Sequence, residues 1–163
     1  MEGNFIIELK DGKTHKISKK AAELSDLLRG MKSIPGDVLF PIESSDSKTV
    51  LKTIEYLVHF DGKFPQEIEK PLLSKEMKNI TDEWSAQFVD NLSIDELVNI
   101  IALSHYLQIN CLLNLCCAKM VSLCKGKSES EIFNIFGVSA DYFSPEKKEQ
   151  IKENNKWVDE IFQ

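Results

Sequence analysis

Residues 110–125 form the segment that most restricts what this chain can become. Placed on a helix that turns about 100° per residue, Leu112, Leu123, Cys116, Met120, Leu113, Cys124 and Cys117 follow one another around the axis with no polar residue among them. That arc spans roughly 140°, whereas a helix seated on a single core needs an apolar stripe of roughly 100°. Surplus apolar surface on one helix points to two neighbours: the domain's own core on one side, and a second surface on the other. Two further short segments with apolar residues of their own follow, ending at Trp157. The pattern is that of a protein-interaction module.

Charge and composition narrow the partners. A length of 163 residues suits one domain with an appended subdomain. The formal net charge of -6 argues against nucleic acid, whose readers carry a basic patch. Lys10, Lys13, Lys16, Lys19 and Lys20 recur near the N-terminus, but Glu2, Glu8, Asp11 and Glu23 interleave with them, so they read as a solvated edge. Met1-Glu2-Gly3-Asn4 shows neither a basic n-region nor an apolar h-region, so no signal peptide is expected. The most apolar window, 98–117, is interrupted by Asn99, Ser104, His105, Gln108, Asn110 and Asn114, too polar for a membrane span. Four cysteines without a secretion signal imply a reducing compartment, cytoplasm or nucleus, and free buried thiols.

Along the chain, Phe5-Ile6-Ile7-Glu8-Leu9 and Thr14-His15-Lys16-Ile17 read as paired strands. Asp11-Gly12 between them suits a two-residue turn with both positions at φ > 0. Ser18 reads as the N-cap of a helix through Ala21, Ala22, Leu24, Leu27 and Leu28, stopped at Gly30. Val38-Leu39-Phe40 is a third strand, closed by Pro41. Asp46 or Ser47 opens a helix bearing Val50, Leu51, Ile54, Leu57 and Val58 at 3-and-4 spacing. The pattern fails over 61–80, where Pro65 and Pro71 exclude a continuous helix and charges dominate, so this is expected as a mobile linker. A short helix anchored by Trp84 and Phe88 follows. Ser93-Ile94-Asp95-Glu96 and Ser128-Glu129-Ser130-Glu131 are capping boxes, and Ser144-Pro145 places an N-cap before a helical proline. The class is α+β, divided as 1–60, the linker 61–80, helices over 81–125, and a helical extension over 126–163.

No local signature of a catalytic or metal-binding constellation stands out, although spacing alone leaves a Ser–His–Asp or Cys–His arrangement open. Adjacent Cys116 and Cys117 diverge by about 100° on a helix, and with Cys111 and Cys124 they match no zinc spacing, so no metal or cofactor is expected. His15, His59 and His105 stand near no nucleophile motif, and there is no glycine-rich phosphate loop. A thiol enzyme would need a cysteine with a depressed pKa. Ile151, Asn154 and Trp157, spaced 3 and 3 along one face of the last helix, either line a partner's pocket or fold back to bury one indole.

Specific runs point further. Leu97-Val98-Asn99-Ile100-Ile101-Ala102-Leu103-Ser104-His105-Tyr106-Leu107-Gln108-Ile109-Asn110-Cys111-Leu112-Leu113-Asn114-Leu115-Cys116-Cys117 resembles the S-phase kinase-associated protein 1 family. So do Lys125-Gly126-Lys127-Ser128-Glu129-Ser130-Glu131-Ile132 with Phe136 after it, and the ending Glu149-Gln150-Ile151-Lys152-Glu153-Asn154-Asn155-Lys156-Trp157. The resemblance runs from about residue 5 to 160. It implies a BTB/POZ-like domain, a small sheet with helices, followed by C-terminal helices that bind F-box proteins. The implied function is that of a non-catalytic adaptor joining a cullin scaffold to F-box substrate receptors in an SCF ubiquitin ligase. Carried over by position, Leu113, Cys117, Met120, Ile132, Phe136, Ile151, Asn154 and Trp157 form the F-box face, and His105 and Tyr106 the cullin contact. Without a partner, weak self-association is the expectation.

Three departures stand out. The family commonly has Asn-Tyr where this chain has His105-Tyr106. Glu129 replaces the family's proline in the segment after Lys-Gly-Lys, so the prolyl hydroxylation seen in some relatives has no acceptor there. The acidic loop usual before the third strand is replaced by the short, nearly uncharged Met31-Lys32-Ser33-Ile34-Pro35-Gly36. The rival readings are an elongin-C-like adaptor, a homodimeric BTB scaffold, or an F-box binder acting outside a ligase. The helices after Lys125 argue against the first, since elongin C resembles only the earlier part.

Overall fold

The fold starts from a hairpin. β1 (Asn4–Leu9) and β2 (Thr14–Ser18) pair antiparallel, with Phe5 opposite Ile17 and Ile7 opposite His15. Alternation along β1 sends Phe5, Ile7 and Leu9 into the core. The computed structural model describes residues 3–139 and 141–157 of the chain. The hairpin turn differs from the two-residue form. Gly12 alone takes φ > 0, at 79°, its N–H donates to Leu9 O at 2.9 Å, and Leu9 N–H donates to Lys13 O at 2.8 Å. This is a type I turn closed by a left-handed glycine, which spares Asp11 the strained conformation.

β3 (Val38–Ile42) lies parallel to β1 on its other side, giving the order β2-β1-β3. Pro41 does not close the strand, as the sequence suggested. β3 is an edge, so a residue without an N–H sits in it at no loss of ladder bonds, and Ile42 beyond it is buried.

The helix expected over 18–30 is broken in two. Ser18 ends β2 and is not the N-cap: its Oγ accepts from Ala21 N–H at 2.9 Å, but the 3-10 turn over Ala21–Leu24 that follows has Lys20 at its N-cap position. The chain then extends at Ser25 before α1 (Asp26–Gly30). Ser25 Oγ accepts from Leu28 N–H at 3.1 Å and donates to Leu107 O at 2.5 Å, while Asp26 N–H reaches Gln108 O at 3.2 Å. A buried hydroxyl bonded to a distant carbonyl outcompetes continuous helix at that point.

α2 (Ser47–Phe60) is capped by Asp46, which accepts from Thr49 N–H at 3.0 Å. Its buried side is Thr49, Val50, Thr53, Tyr56 and Leu57, leaving Leu51 and Val58 exposed. Thr53 fits the core because its hydroxyl donates to Thr49 O at 3.0 Å. Residues 61–76 have no regular secondary structure, yet Ile68 is buried within them, and Met77 is buried where a 3-10 turn (Met77–Asn79) follows.

α3 (Glu83–Asp90) brings Trp84 and Phe88 against Tyr56, with ring centroids 6.1 and 5.7 Å away. α4 (Ile94–Leu107) opens on the Ser93–Glu96 capping box and buries Leu97, Ile100, Leu103 and Leu107. Gln108, at φ 55°, turns the chain into α5 (Asn110–Cys124). The structure divides into two compact units, Met1–Lys125 and Gly126–Gln163. The hydrophobic core lies in the first. The second holds α6 (Glu129–Ile135), opened by the Ser128–Glu131 capping box, and α7 (Pro145–Asn154), capped by Ser144; neither helix has a buried residue.

Candidate functional site

On α5 the expected arc divides. Leu112 and Cys116 at its leading edge are fully buried, and burial continues round the helix through Leu115, Ala118 and Ser122. Met120 and Leu123 pack at the margin of the core, Leu113 and Cys124 are half-buried, and Cys117 is exposed. The core therefore takes a side of α5 shifted away from the apolar arc, and much of that arc stays at the surface. Lys119 Nζ lies 2.7 Å from Asp90 Oδ1, which ties α5 to α3.

In the second unit Ile132 and Phe136 are half-buried, Asn154 is exposed, and Ile151 and Trp157 are 40% and 55% exposed. Ile151 and Asn154 stand on α7, but that helix ends at Asn154, so Trp157 does not continue its face. An aromatic group that the sequence reading passed over belongs to the same unit: Phe133 lies 6.2 Å from Phe143, which meets exposed Tyr142 edge-on at 5.0 Å. Spacing gave no sign of it, because Phe133 and Phe143 come from different elements.

His105 and Tyr106 part company. Both are exposed on the last turns of α4, but successive residues there diverge by about 100°. Only Tyr106 lines a groove of about 630 Å³, shared with Pro41, Ile42, Ala102 and Leu103, with Glu43 as its one charged residue. The contribution of Pro41 was invisible while that residue was read as the end of a strand.

The cysteines offer no reactive centre in the core. Burial pushes the Cys116 thiol up to about 12, aided by Cys117 beside it. Burial also raises Cys111, which shares a hydrogen bond with the Tyr56 hydroxyl. Among the described residues no three His, Cys, Asp or Glu side chains gather as a metal-binding group, and no helix is long and apolar enough to cross a membrane.

The comparisons with known proteins bear on these same elements. The family model described as "Skp1 family, dimerisation domain" matches residues 110–158, from the start of α5 onward. The S-phase kinase-associated protein 1 homolog of Tetrahymena thermophila is 35% identical over 145 residues, covering 88% of this chain and 87% of the relative. The chain belongs to the Skp1 family. The E3 ubiquitin ligase complex SCF subunit sconC of Arthroderma benhamiae is 32% identical over 152 residues, covering 92% of each chain. That of Talaromyces marneffei is 27% identical over 162 residues, covering 98% of this chain and 99% of the relative. This Skp1-family chain thus matches its relatives across both units, and the α+β class with a BTB/POZ-like first unit is the family's own. The half-exposed arc of α5 opens the stretch that the family model covers.

Proposed function

We propose that this chain is the non-catalytic adaptor of an SCF-type E3 ubiquitin ligase, bridging a cullin scaffold and F-box substrate receptors in the cytoplasm and nucleus. The observation that carries the reading is α5, which keeps Leu113, Cys117 and Cys124 out of the buried core and Met120 at its margin, in a chain that matches SCF subunits over nearly its full length. An F-box segment would cover that arc, and Ile132, Phe136, Ile151, Asn154 and Trp157 would supply the contacts of the second unit. Tyr106 with its groove would receive the cullin, and exposed His105, which does not line the groove, would add a contact beside it. Such an adaptor works by position: two simultaneous contacts raise the effective concentration of substrate near the ubiquitin-charged enzyme. The high thiol pKa of buried Cys116 favours this over a thiol enzyme.

The test is co-purification of the chain with an F-box domain and a cullin N-terminal domain of its own organism, read by size exclusion with light scattering. A 1:1:1 complex supports the adaptor. Binding of the F-box domain without the cullin supports an F-box binder outside the ligase, and binding of neither overturns both.

A further inference from the structure

Residues 144–147 read Ser-Pro-Glu-Lys, and the adaptor reading uses none of them. Of the five prolines, at 35, 41, 65, 71 and 145, only Pro145 follows a serine or threonine. Ser144 is exposed, and its backbone is extended, at φ -61° and ψ 157°. Pro145 fixes the first position of α7 and presents no N–H to whatever binds the serine. Lys147, three residues past Ser144, is also exposed, with Nζ 3.2 Å from Gln150 Oε1. Because α7 buries no residue, opening its first turn costs little beyond the Lys148–Glu129 pair at 3.8 Å, and residues 144–147 can then enter an enzyme cleft in extended form.

We propose that Ser144 is a phosphorylation site for a proline-directed protein kinase that reads a cation three residues beyond the serine. A cleft with an apolar wall and no acceptor at the following position favours proline, since any other residue would bury an unpaired N–H there. In the reaction Ser144 Oγ attacks the γ-phosphorus of a nucleoside triphosphate and the Oγ–P bond forms. The bond from phosphorus to the β-phosphate oxygen breaks, the diphosphate leaves with the electron pair, and the serine proton passes to the kinase's carboxylate base.

The product sits at an N-cap. Ser144 Oγ already accepts from Lys147 N–H at 3.2 Å, and a phosphate adds charge of about -1.5 to -2 at that helix N-terminus. Glu146, two residues along and in the same first turn, is repelled by the phosphate. The amides of the first turn gain a charged acceptor, and α7 is held more firmly just before Ile151 and Asn154.

The test incubates the full chain with a proline-directed kinase, verified as active on a Ser-Pro-x-Lys control peptide, and locates phosphate by mass spectrometry. The expected result is about one phosphate per chain at Ser144, lost in S144A and P145A. Absence of phosphate on Ser144, or equal incorporation into P145A, overturns the proposal. Hydrogen exchange on the phosphorylated chain reads the consequence. The Lys147 and Lys148 amides should exchange roughly three-fold slower, and unchanged or faster exchange overturns the capping effect. F-box binding enters neither readout, so this result stands apart from that of the adaptor.

Discussion

At the scale of single residues, exposure separates groups that hold the fold from groups left for a partner. Trp157 is 55% exposed and outside α7, so it contributes little to stability. Trp157→Ala should leave the melting temperature nearly unchanged yet weaken F-box binding by ~2 kcal/mol or more, as expected of an aromatic hot spot. Titration calorimetry on the folded variant checks this, and undiminished affinity would remove Trp157 from the face. The adjacent cysteines make a second contrast. Cys117 is exposed, whereas Cys116 is fully buried with its thiol pushed up to about 12. In a timed alkylation followed by peptide mass mapping, Cys117 should react first and Cys116 only on unfolding. A bound F-box domain should protect Cys117. Labelling of Cys117 at the free rate within the complex would place the partner elsewhere.

At the scale of elements, local chemistry and tertiary ties meet at the start of α4. The Glu96 carboxylate is held down to about 2, against an ordinary 4.5, chiefly by the Lys48 ammonium and then by the Ser93 amide and hydroxyl. Lys48 belongs to α2, 2.7 Å away, so one side chain both closes a cap and joins two helices. A pKa lower in the folded state than in the unfolded one means stability that is complete above the ordinary value. That stability is lost as pH falls from 4.5 toward about 2. Thermal melts of wild type and Glu96→Gln should therefore differ at neutral pH and converge near the acid end, with the difference shrinking in high salt. A constant gap across that window would mean that the carboxylate's charge is not what matters. The capping boxes at Ser93 and Ser128 were legible because three-residue spacing is a backbone property. The break at Ser25 was not, since it depends on the Leu107 carbonyl, 82 residues further along.

At the scale of the whole molecule, the core residues belong to the unit Met1–Lys125, and neither helix of Gly126–Gln163 has a buried residue. A chain ending at Lys125 should keep cooperative unfolding with a midpoint close to that of the full chain. It should also lose most F-box affinity while retaining whatever binding Tyr106 and its groove give to a cullin. Differential scanning calorimetry and a pull-down with each partner domain check both halves. Collapse of the truncated chain would show that the second unit supports the first.

Local pattern along the chain was enough to reveal the hairpin, the capped helices and the surplus apolar arc of α5. Periodicity, caps and turn residues act on neighbours, and neighbours are what a sequence displays. Family-specific runs added the implied F-box and cullin residues by position. What the sequence left open depended on distant partners: which side of α5 the core claims, the burial of Ile68 and Met77 in an irregular stretch, Pro41 on an edge strand, and the parting of His105 from Tyr106. An apolar residue is the same letter whether it seals a core or waits at a surface. Only packing against elements far away in the chain decides which, because burial is set by what surrounds a side chain in space.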